Sequence, residues 1–451
     1  MTRTGDVAPP TVTPHPLDPG APIAGWPYRP LLALEYLPQA AYTWDDTDPD
    51  LVWDQAESLG YVWDAPFIGS GFTDVVCDFM ALDIDPGEPD DLYLFPACSA
   101  TLTLDNPDGR YTPWSADGRL TYWAPGRRMH VLAKHIATGE LLWLFSGRVA
   151  SWTTNPDDTV TVIAYDGLSW LAQSLGGTWT DGTAGQSPQA RITANLAAAG
   201  YPDPLVADLG DVTLDTVATD TSPLERIERV ALSDGGLFYG DNDGSLDYRN
   251  RLWRAGRSDQ PTLWAVSDNR CTAQVIVWNP TMATDDERLA TDVRLTNLGG
   301  LTATAALPAG TVWAGDARYR LSHPDPDLWQ TQPQGDTLAT YLLTQQGTPS
   351  MALDEFDVYV QDPGQPAAWD MAARSRRGDR IQVLHDFTDS AGVPATLDLR
   401  AIVLGIGHTI TPESWVSHFR LSRTVDYVPL IMWDASPYTW DDPNPANVWR
   451  Y

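Results

Sequence analysis

Short runs of alternating apolar and polar residues, separated by turn sequences, dominate residues 73–175. Such runs are typical of half-buried strands, because successive side chains of a strand point to opposite faces of the sheet. Turns such as Asn106-Pro107-Asp108-Gly109 separate the runs. The predicted strands are 75–80, 100–104, 129–133, 141–148 and 159–164, followed by a short helical segment at 166–175. The region therefore predicts a compact antiparallel β-domain.

A second alternating region lies near the end of the chain, and we place a second β-domain at 346–427. Its predicted strands are 356–361, 379–384, 396–408 and 415–421. The residues between the two domains, which we divide into an α/β insertion (176–270) and a mixed β/α segment (271–345), predict alternating helices and strands. The predicted elements are helices at 188–199, 222–235 and 337–345, a hairpin at 237–248, and strands at 275–278 and 293–295 that pair with each other. The predicted fold class is mainly β: two related antiparallel β-barrel or sandwich domains flank a mixed α/β segment.

The two ends of the chain share a sequence. Residues 1–72 lack periodicity and are interrupted by prolines, which predicts an extended N-terminal arm. Within it, 42–53 matches 438–449 at eight of twelve positions, and the second copy lies in a C-terminal Trp-Asp-Asp tail segment, 428–451. Because so short a segment cannot bury its own indoles, the duplication predicts a similar partner groove for each copy; the alternative is a turn that tucks the indoles onto the chain's own surface. The candidate partner-binding residues are Trp44, Trp53, Trp63, Trp433, Trp440 and Trp449.

The charge of the chain excludes two classes of partner. Acidic residues outnumber basic ones 60 to 28, and a formal charge of -32 opposes binding to phosphate backbones or anionic lipid. No stretch approaches the roughly 18 to 20 apolar residues that span a bilayer. The cysteines, Cys77, Cys98 and Cys271, have no metal-binding spacing. We therefore expect neither sequence-specific nucleic-acid binding nor membrane insertion, and reduced cysteines.

Three sequence features are candidates for a catalytic or metal site. Asp241 to Asp247 begins like a calcium loop, but Leu252 stands at its twelfth position, so a hairpin turn is the default interpretation. His408 and His418 could approach each other on neighbouring strands, but no further ligand completes a zinc set. The segment 167–171 lacks the second glycine of a serine elbow and predicts the first turn of a helix. We expect no cofactor, no metal and no catalytic residue.

Several segments resemble a known family. The run 100–114, followed by 125–128, 144–149, 159–162 and 166–168, resembles the first domain of minor tail proteins of actinobacterial phages, which are tail hub or baseplate hub proteins. The segments 378–383, 403–412 and 415–421 resemble the second β-domain of the same family. Together they extend from about residue 75 to residue 425.

The resemblance implies a homotrimer at the distal end of the tail tube, in which the two β-domains of each chain form a pseudo-sixfold ring. It implies contacts with distal tail or tail tube proteins and with tail tip or fibre proteins, and makes the tape measure protein a further candidate partner. It also implies DNA passing through or past the ring, a place at the virion tail tip, assembly in the bacterial host cytoplasm, and no enzymatic activity. The alternatives are a hexameric distal tail ring protein and, because the chain has 20 tryptophans and 60 carboxylates, a carbohydrate-binding protein or glycoside hydrolase.

Overall fold

The protein contains two β-barrels and a mixed α/β unit. The computed structural model describes residues 26–36, 71–74, 78–87, 96–109, 111–112, 125–172, 179–181, 183–219, 221–251, 253, 262–268, 275–283, 289–309, 320–323, 325–347, 352–361, 365–388 and 394–422.

The elements run in the following order along the chain. The strands are β1 (Tyr28–Tyr36), β2 (Gly71–Asp74), β3 (Phe79–Asp85), β4 (Ser99–Asp105), β5 (Arg128–His135), β6 (Leu141–Thr154), β7 (Thr159–Tyr165), β8 (Trp179–Asp181), β9 (Leu205–Ala207), β10 (Val217–Thr219), β11 (Leu237–Gly240), β12 (Leu246–Arg249), β13 (Trp264–Ser267), β14 (Val275–Ile276), β15 (Trp278–Ala283), β16 (Asp292–Thr296), β17 (Thr302–Ala306), β18 (Arg320–Leu321), β19 (Ala352–Tyr359), β20 (Arg380–Thr388), β21 (Pro394–Ile410) and β22 (Trp415–Leu421). The helices are α1 (Gly167–Leu171), α2 (Pro188–Ala199), α3 (Pro223–Asp234), α4 (Gln332–Gln346) and α5 (Pro366–Arg374).

The first barrel has the strand order β3-β4-β7-β6-β5-β1-β2, and all its pairings are antiparallel. The first and last strands of this order, β3 and β2, are consecutive in the chain. Apolar side chains such as Leu102 and Val162 alternate with polar ones and point into the core. This alternation produces the pattern seen in the sequence.

The second barrel repeats this arrangement with the order β15-β19-β22-β21-β20-β13-β14. Its β14 and β15 are separated by a single residue, Val277, and correspond to β2 and β3. One strand differs in direction: β1 is antiparallel to β5, whereas β13 is parallel to β20. The expectation of two related β-domains is therefore confirmed by strand order. The two barrels share one hydrophobic core cluster, to which α5 contributes Trp369 and Met371.

The mixed unit forms a second core from α1–α4 and the sheets β11-β12-β9 and β17-β16-β18. Helices α2 and α3 begin and end at the predicted signals. Ser222 and Glu225 form a capping box on α3, and Gly235 ends the helix in the left-handed conformation. Helix α4 begins at Gln332, earlier than predicted, where the Gln334 side chain accepts a hydrogen bond from the backbone N–H of Thr331.

The pairing predicted between residues 275–278 and 293–295 is wrong. Strand β14 pairs with β13 and β15 with β19, whereas β16 pairs with β17 and β18. Strands β13–β15 complete the second barrel although they precede its expected boundary at residue 346. Similarly, β1 lies inside the segment expected to be an extended arm and pairs with β5 over seven positions. Neighbouring strands in a barrel are often distant in sequence, which pattern alone does not reveal.

Candidate functional site

The six tryptophans singled out in the sequence, at positions 44, 53, 63, 433, 440 and 449, lie outside the described residues. Their role as partner anchors stays a prediction. The described residues contain instead a set of joints that hold the two barrels and the mixed unit together. These joints fix how the three units are arranged.

The two barrels are joined by strand pairing. Residues 408–410 of β21 pair with residues 82–84 of β3, so Thr409 lies opposite Asp83. The Thr409 hydroxyl donates a hydrogen bond of 2.8 Å to the Asp83 carboxylate. Arg420 of β22 reaches across the same joint and donates to the carbonyl of Gly87. One continuous sheet therefore passes from the second barrel into the first.

A buried histidine lies at this joint. His408 contacts the Ser417 hydroxyl through Nδ1 at 2.9 Å and meets the Trp415 ring edge-on at 5.9 Å. Burial lowers the pKa of His408 to about 3, so the imidazole is neutral at neutral pH. His418 is on the opposite face of the sheet, where it contacts Asp357 at 2.6 Å. The two histidines therefore do not converge, and no group of three or more metal-ligating His, Cys, Asp or Glu side chains occurs in the described residues.

Arg377 connects all three units. It lies between α5 and β20 of the second barrel and is buried. Its guanidinium donates to the carbonyl of Gly240 in the mixed unit at 2.9 Å and to the carbonyl of Pro86, just after β3 of the first barrel, at 3.3 Å. It also lies 5.7 Å from the centre of the Tyr239 ring. A planar, multiply donating cation suits this position because it can satisfy several carbonyls at once.

Asp166 supports the same junction from the first barrel. Its carboxylate accepts backbone N–H groups from Cys98 at 2.9 Å and from Leu168 at 3.0 Å, the latter capping α1. Burial raises the pKa of Asp166 to about 6, against the opposing effects of these hydrogen bonds and of Arg377. A Cβ atom on Gly240 would lie 2.7 Å from this carboxylate. The mixed unit therefore approaches the barrel closely enough that any side chain at position 240 would have to displace the Asp166 carboxylate.

An ion-pair cluster joins the mixed unit to the first barrel at a second place. Asp203 accepts from Arg128 at 2.6 Å and lies 3.7 Å from Arg148. The Arg148 guanidinium also lies 5.4 Å from the centre of the Trp170 ring. These residues come from β5, β6, α1 and the segment before β9, so the cluster orients the mixed unit relative to the barrel.

Strand β1 is attached to the second barrel by aromatic residues at its start. Trp26 lies 5.1 Å from Trp369 and 6.3 Å from Trp415, measured between ring centres. The Tyr28 hydroxyl donates to Asp370 at 2.5 Å, and burial together with Asp370 raises the pKa of Tyr28 to about 12. Thus β1 completes the first barrel while its first residues pack on the second.

Two segments considered above as metal or catalytic candidates take structural roles. In the 241–247 hairpin, the N–H groups of Asn242 and Ser245 donate to the side chains of Asp241 and Asp243, and Asp247 pairs with Arg249 at 2.6 Å. These carboxylates thus stabilise a turn, as the default interpretation predicts. Ser169 lies in the first turn of α1, as predicted, and its hydroxyl donates to the carbonyl of Asp166.

The sheet face around the barrel joint is polar and acidic. Exposed Asp83 and Asp85 alternate with buried residues along β3. On the second barrel, the face also carries an exposed aromatic pair, Trp278 and Tyr359, whose rings meet edge-on at 5.7 Å. Sequence reasoning missed this pair, because a single tryptophan in a short strand carries no signal of exposure.

Comparisons with known proteins show a similarity at the level of the fold. No protein-family model and no curated protein matches the sequence. The fold is similar to the crystal structure of the tail protein from Neisseria meningitidis MC58, with a TM-score of 0.52 and 14% identity over 76% of this chain and 92% of that chain. A 43 kDa tail protein of prophage MuSo2 from Shewanella oneidensis aligns with a TM-score of 0.48 and 12% identity over 80% of this chain and 96% of that chain. Among the described residues, no helix is long and apolar enough to cross a membrane.

Proposed function

We propose that the chain is a structural tail hub protein of a bacteriophage virion. In this proposal three copies form a ring at the distal end of the tail tube and connect the tube to tail tip or fibre proteins, and the protein has no catalytic residue. The observation that carries the proposal is the repeated barrel: two rings of seven strands with the same order in one chain. The likeness to the Neisseria tail protein supports the fold on which it rests.

The repeated barrel matters because of symmetry. A threefold object meets a sixfold tube without mismatch only when each protomer offers two similar faces. Two barrels with the same strand order supply such faces, and the β3–β21 joint holds them in a defined relation. The mixed unit is formed by the segments between β7 and β13 and between β15 and β19, and it is attached at Arg377 and Asp203, so it adds to the barrel pair without entering the strand order of either barrel.

The charge of the protein fits a passage for DNA. A formal charge of -32 and the aspartates beside the barrel joint repel phosphates, so nucleic acid would pass without the binding that counterion release drives.

In the proposal, the duplicated Trp-Asp-Asp segments contact neighbouring tail proteins. We expect replacement of Trp44 and Trp440 by Ala to reduce incorporation of the chain into particles, with Leu209→Ala, which removes an exposed apolar side chain of the mixed unit, as control.

The test of the proposal is the native mass of the purified full chain, followed by images of the particle tip. We expect a species of three times 49.5 kDa and a ring of threefold symmetry at the end of the tail tube. A hexamer would assign the chain to the distal tail ring instead. A monomer at all concentrations that is also missing from the particle tip would overturn the proposal, and a monomer that hydrolyses glycans would favour the carbohydrate-active alternative.

A further inference from the structure

Each barrel has two places where a strand parts from one of its neighbours, and we call these places corners. In the first barrel, β6 pairs with β5 only up to Arg148, and its last residues form the β6 corner, Thr153–Thr154. The β3 corner consists of residues 82–84, which follow β2, the strand that pairs with β1. In the second barrel the corresponding places are the β21 corner, residues 408–410, and the β15 corner at Trp278.

Within the chain, two of the four corners are joined to each other. The β21 corner of the second barrel pairs with the β3 corner of the first. Among the described residues, the other two each pair on one edge only: Thr153 and Thr154 with β7, and Trp278 with β19. The chain thus carries one completed joint and the two halves of a second joint of the same kind.

The register identifies which residues would meet in that second joint. Thr154 and Ile410 are the last paired residues before corresponding turns, opposite Val160 and Trp415, so Thr153 corresponds to Thr409. On the other half, Asp83 pairs with Thr101 of β4, and Trp278 pairs with Asp357 of β19.

The first paired residues after the two turns are Val160 and Trp415. Val160 pairs with Leu104, and the Trp415 carbonyl accepts the N–H of Val360, so Leu104 and Val360 are equivalent positions. Positions 101 and 357 each lie three residues before them and therefore correspond. Trp278 therefore corresponds to Asp83. Because Thr409 lies opposite Asp83 within the chain, the second joint places Thr153 opposite Trp278.

The two halves are also chemically suited to pairing. Thr153 and Thr154 are exposed β-branched residues at the end of β6, a residue type that favours strand pairing. Trp278 is 42% exposed and stands against Tyr359, an arrangement that burial on a partner would stabilise. Pro280 lacks a backbone N–H and follows Asn279 at φ +50, so regular pairing cannot extend far along β15. A joint of only a few residues results, as in the three-position joint within the chain.

We infer that the β6 corner of one copy pairs with the β15 corner of a second copy of this chain, so that first and second barrels alternate around the ring. The inference rests on the proposed function and deepens it by naming the contact between copies. The contact is heterologous, because two different surfaces meet, and such contacts must close into a ring or grow into a filament. A ring of three chains contains six barrels. The ring closes when each joint rotates the sheet by one sixth of a circle.

The test is a disulfide between copies, formed in a background in which Cys77, Cys98 and Cys271 are replaced by Ala. Residues directly opposite in antiparallel strands have Cα atoms roughly 4.5–5.5 Å apart, which suits a disulfide. We expect Thr153→Cys with Trp278→Cys to give covalently linked dimers and trimers on oxidation. Asp83→Cys with Thr409→Cys is the matched control, and it should link within one chain. Each single variant should give neither product.

The outcomes separate the inference from the proposed function. A trimer by native mass without the 153–278 link, while the 83–409 link forms, would overturn the inference and leave the hub proposal standing. A monomer at all concentrations that is also missing from the particle tip would overturn both. As a second measurement that needs no cysteine, we expect Trp278→Ala in the natural chain to weaken trimer assembly at least tenfold by concentration-dependent native mass. Tyr165→Ala, an exposed aromatic away from both corners, should leave it unchanged, and equal effects of the two would count against the inference.

Discussion

Gly126 and Gly378 occupy the same position in the two barrels. Gly126 lies just before β5, which pairs with β6, and Gly378 lies just before β20, which pairs with β21. Their φ angles are +86° and +84°. The N–H of Gly126 donates to the carbonyl of Val149 at 2.6 Å, and that of Gly378 donates to the carbonyl of Val403 at 2.7 Å. The N–H of Val149 donates to the Arg127 carbonyl at 2.7 Å, and that of Val403 donates to the Asp379 carbonyl at 2.9 Å. The repeat of the barrel thus extends to individual backbone hydrogen bonds.

These two glycines provide a matched pair of substitutions. Gly126→Ala meets no atom within 4 Å of the added Cβ, so it should lower the free energy of unfolding by only the cost of the left-handed backbone, about 1–2 kcal/mol. Gly378→Ala would place Cβ 2.3 Å from the Trp253 ring. We expect a further loss of roughly 1–3 kcal/mol from overpacking. Urea unfolding of both variants measures the difference, and equal losses would contradict the close contact.

Arg377 should be essential to the stability of the three-unit junction. Replacement by Met removes the donors of two buried carbonyls and should lower the free energy of unfolding by about 2–4 kcal/mol. Limited proteolysis should then release the mixed unit from the barrels more readily. Arg294→Ala is the control, because this exposed arginine forms an ion pair with Asp292 away from the junction, and it should change stability by less than about 0.5 kcal/mol. An Arg377→Met variant as stable as the natural protein would show that the junction is held elsewhere.

His408 should make stability depend on pH. Because burial lowers its folded-state pKa to about 3, the unfolded chain binds a proton that the folded protein does not at any pH between that value and about 6.5. Its contribution is therefore fully present above about pH 6.5 and is lost as pH falls, at about 1.4 kcal/mol per pH unit. We expect unfolding measured at pH 7 and pH 5 to show a loss about 2 kcal/mol larger in the natural protein than in His408→Asn. Parallel profiles would refute a buried, neutral His408.

The attachment of β1 should depend on Trp26 rather than on the nearby surface ion pair. Trp26→Ala removes the contact with Trp369 and Trp415 and should cost about 2 kcal/mol, with faster hydrogen exchange of the β1 amides. Glu140 and Arg374 contact each other at 2.6 Å on the surface, so Glu140→Gln should change stability by less than about 1 kcal/mol. Exchange of β1 that is unaffected by Trp26→Ala would show that pairing with β5 alone holds the strand.

The features predicted correctly are those that depend on residues close together in the sequence. The capping box of Ser222 and Glu225 and the turn of the 241–247 hairpin involve side chains that reach the backbone a few positions away. Strands β4 and β7 alternate because one face is buried and the other is not.

Strand β1 shows why other elements escape prediction. Its sequence has no alternation because both faces are covered: Leu32 and Leu34 enter the shared barrel core, while Leu31 and Ala33 pack with Trp143 on the other face. A strand buried on both sides is a short apolar run that periodicity cannot assign. With Pro30 inside it, the run is indistinguishable by pattern from the rest of a proline-interrupted arm.

The sequence by itself determined that this protein is built from two β-domains around a mixed insertion, because alternation, capping and turn residues act over a few positions. Only the tertiary structure decided which strands close each barrel, that Arg377 binds three units together, and that β21 pairs with β3. Those contacts join residues tens to hundreds of positions apart, such as Thr409 and Asp83, and their choice depends on how much surface the whole chain can bury at once.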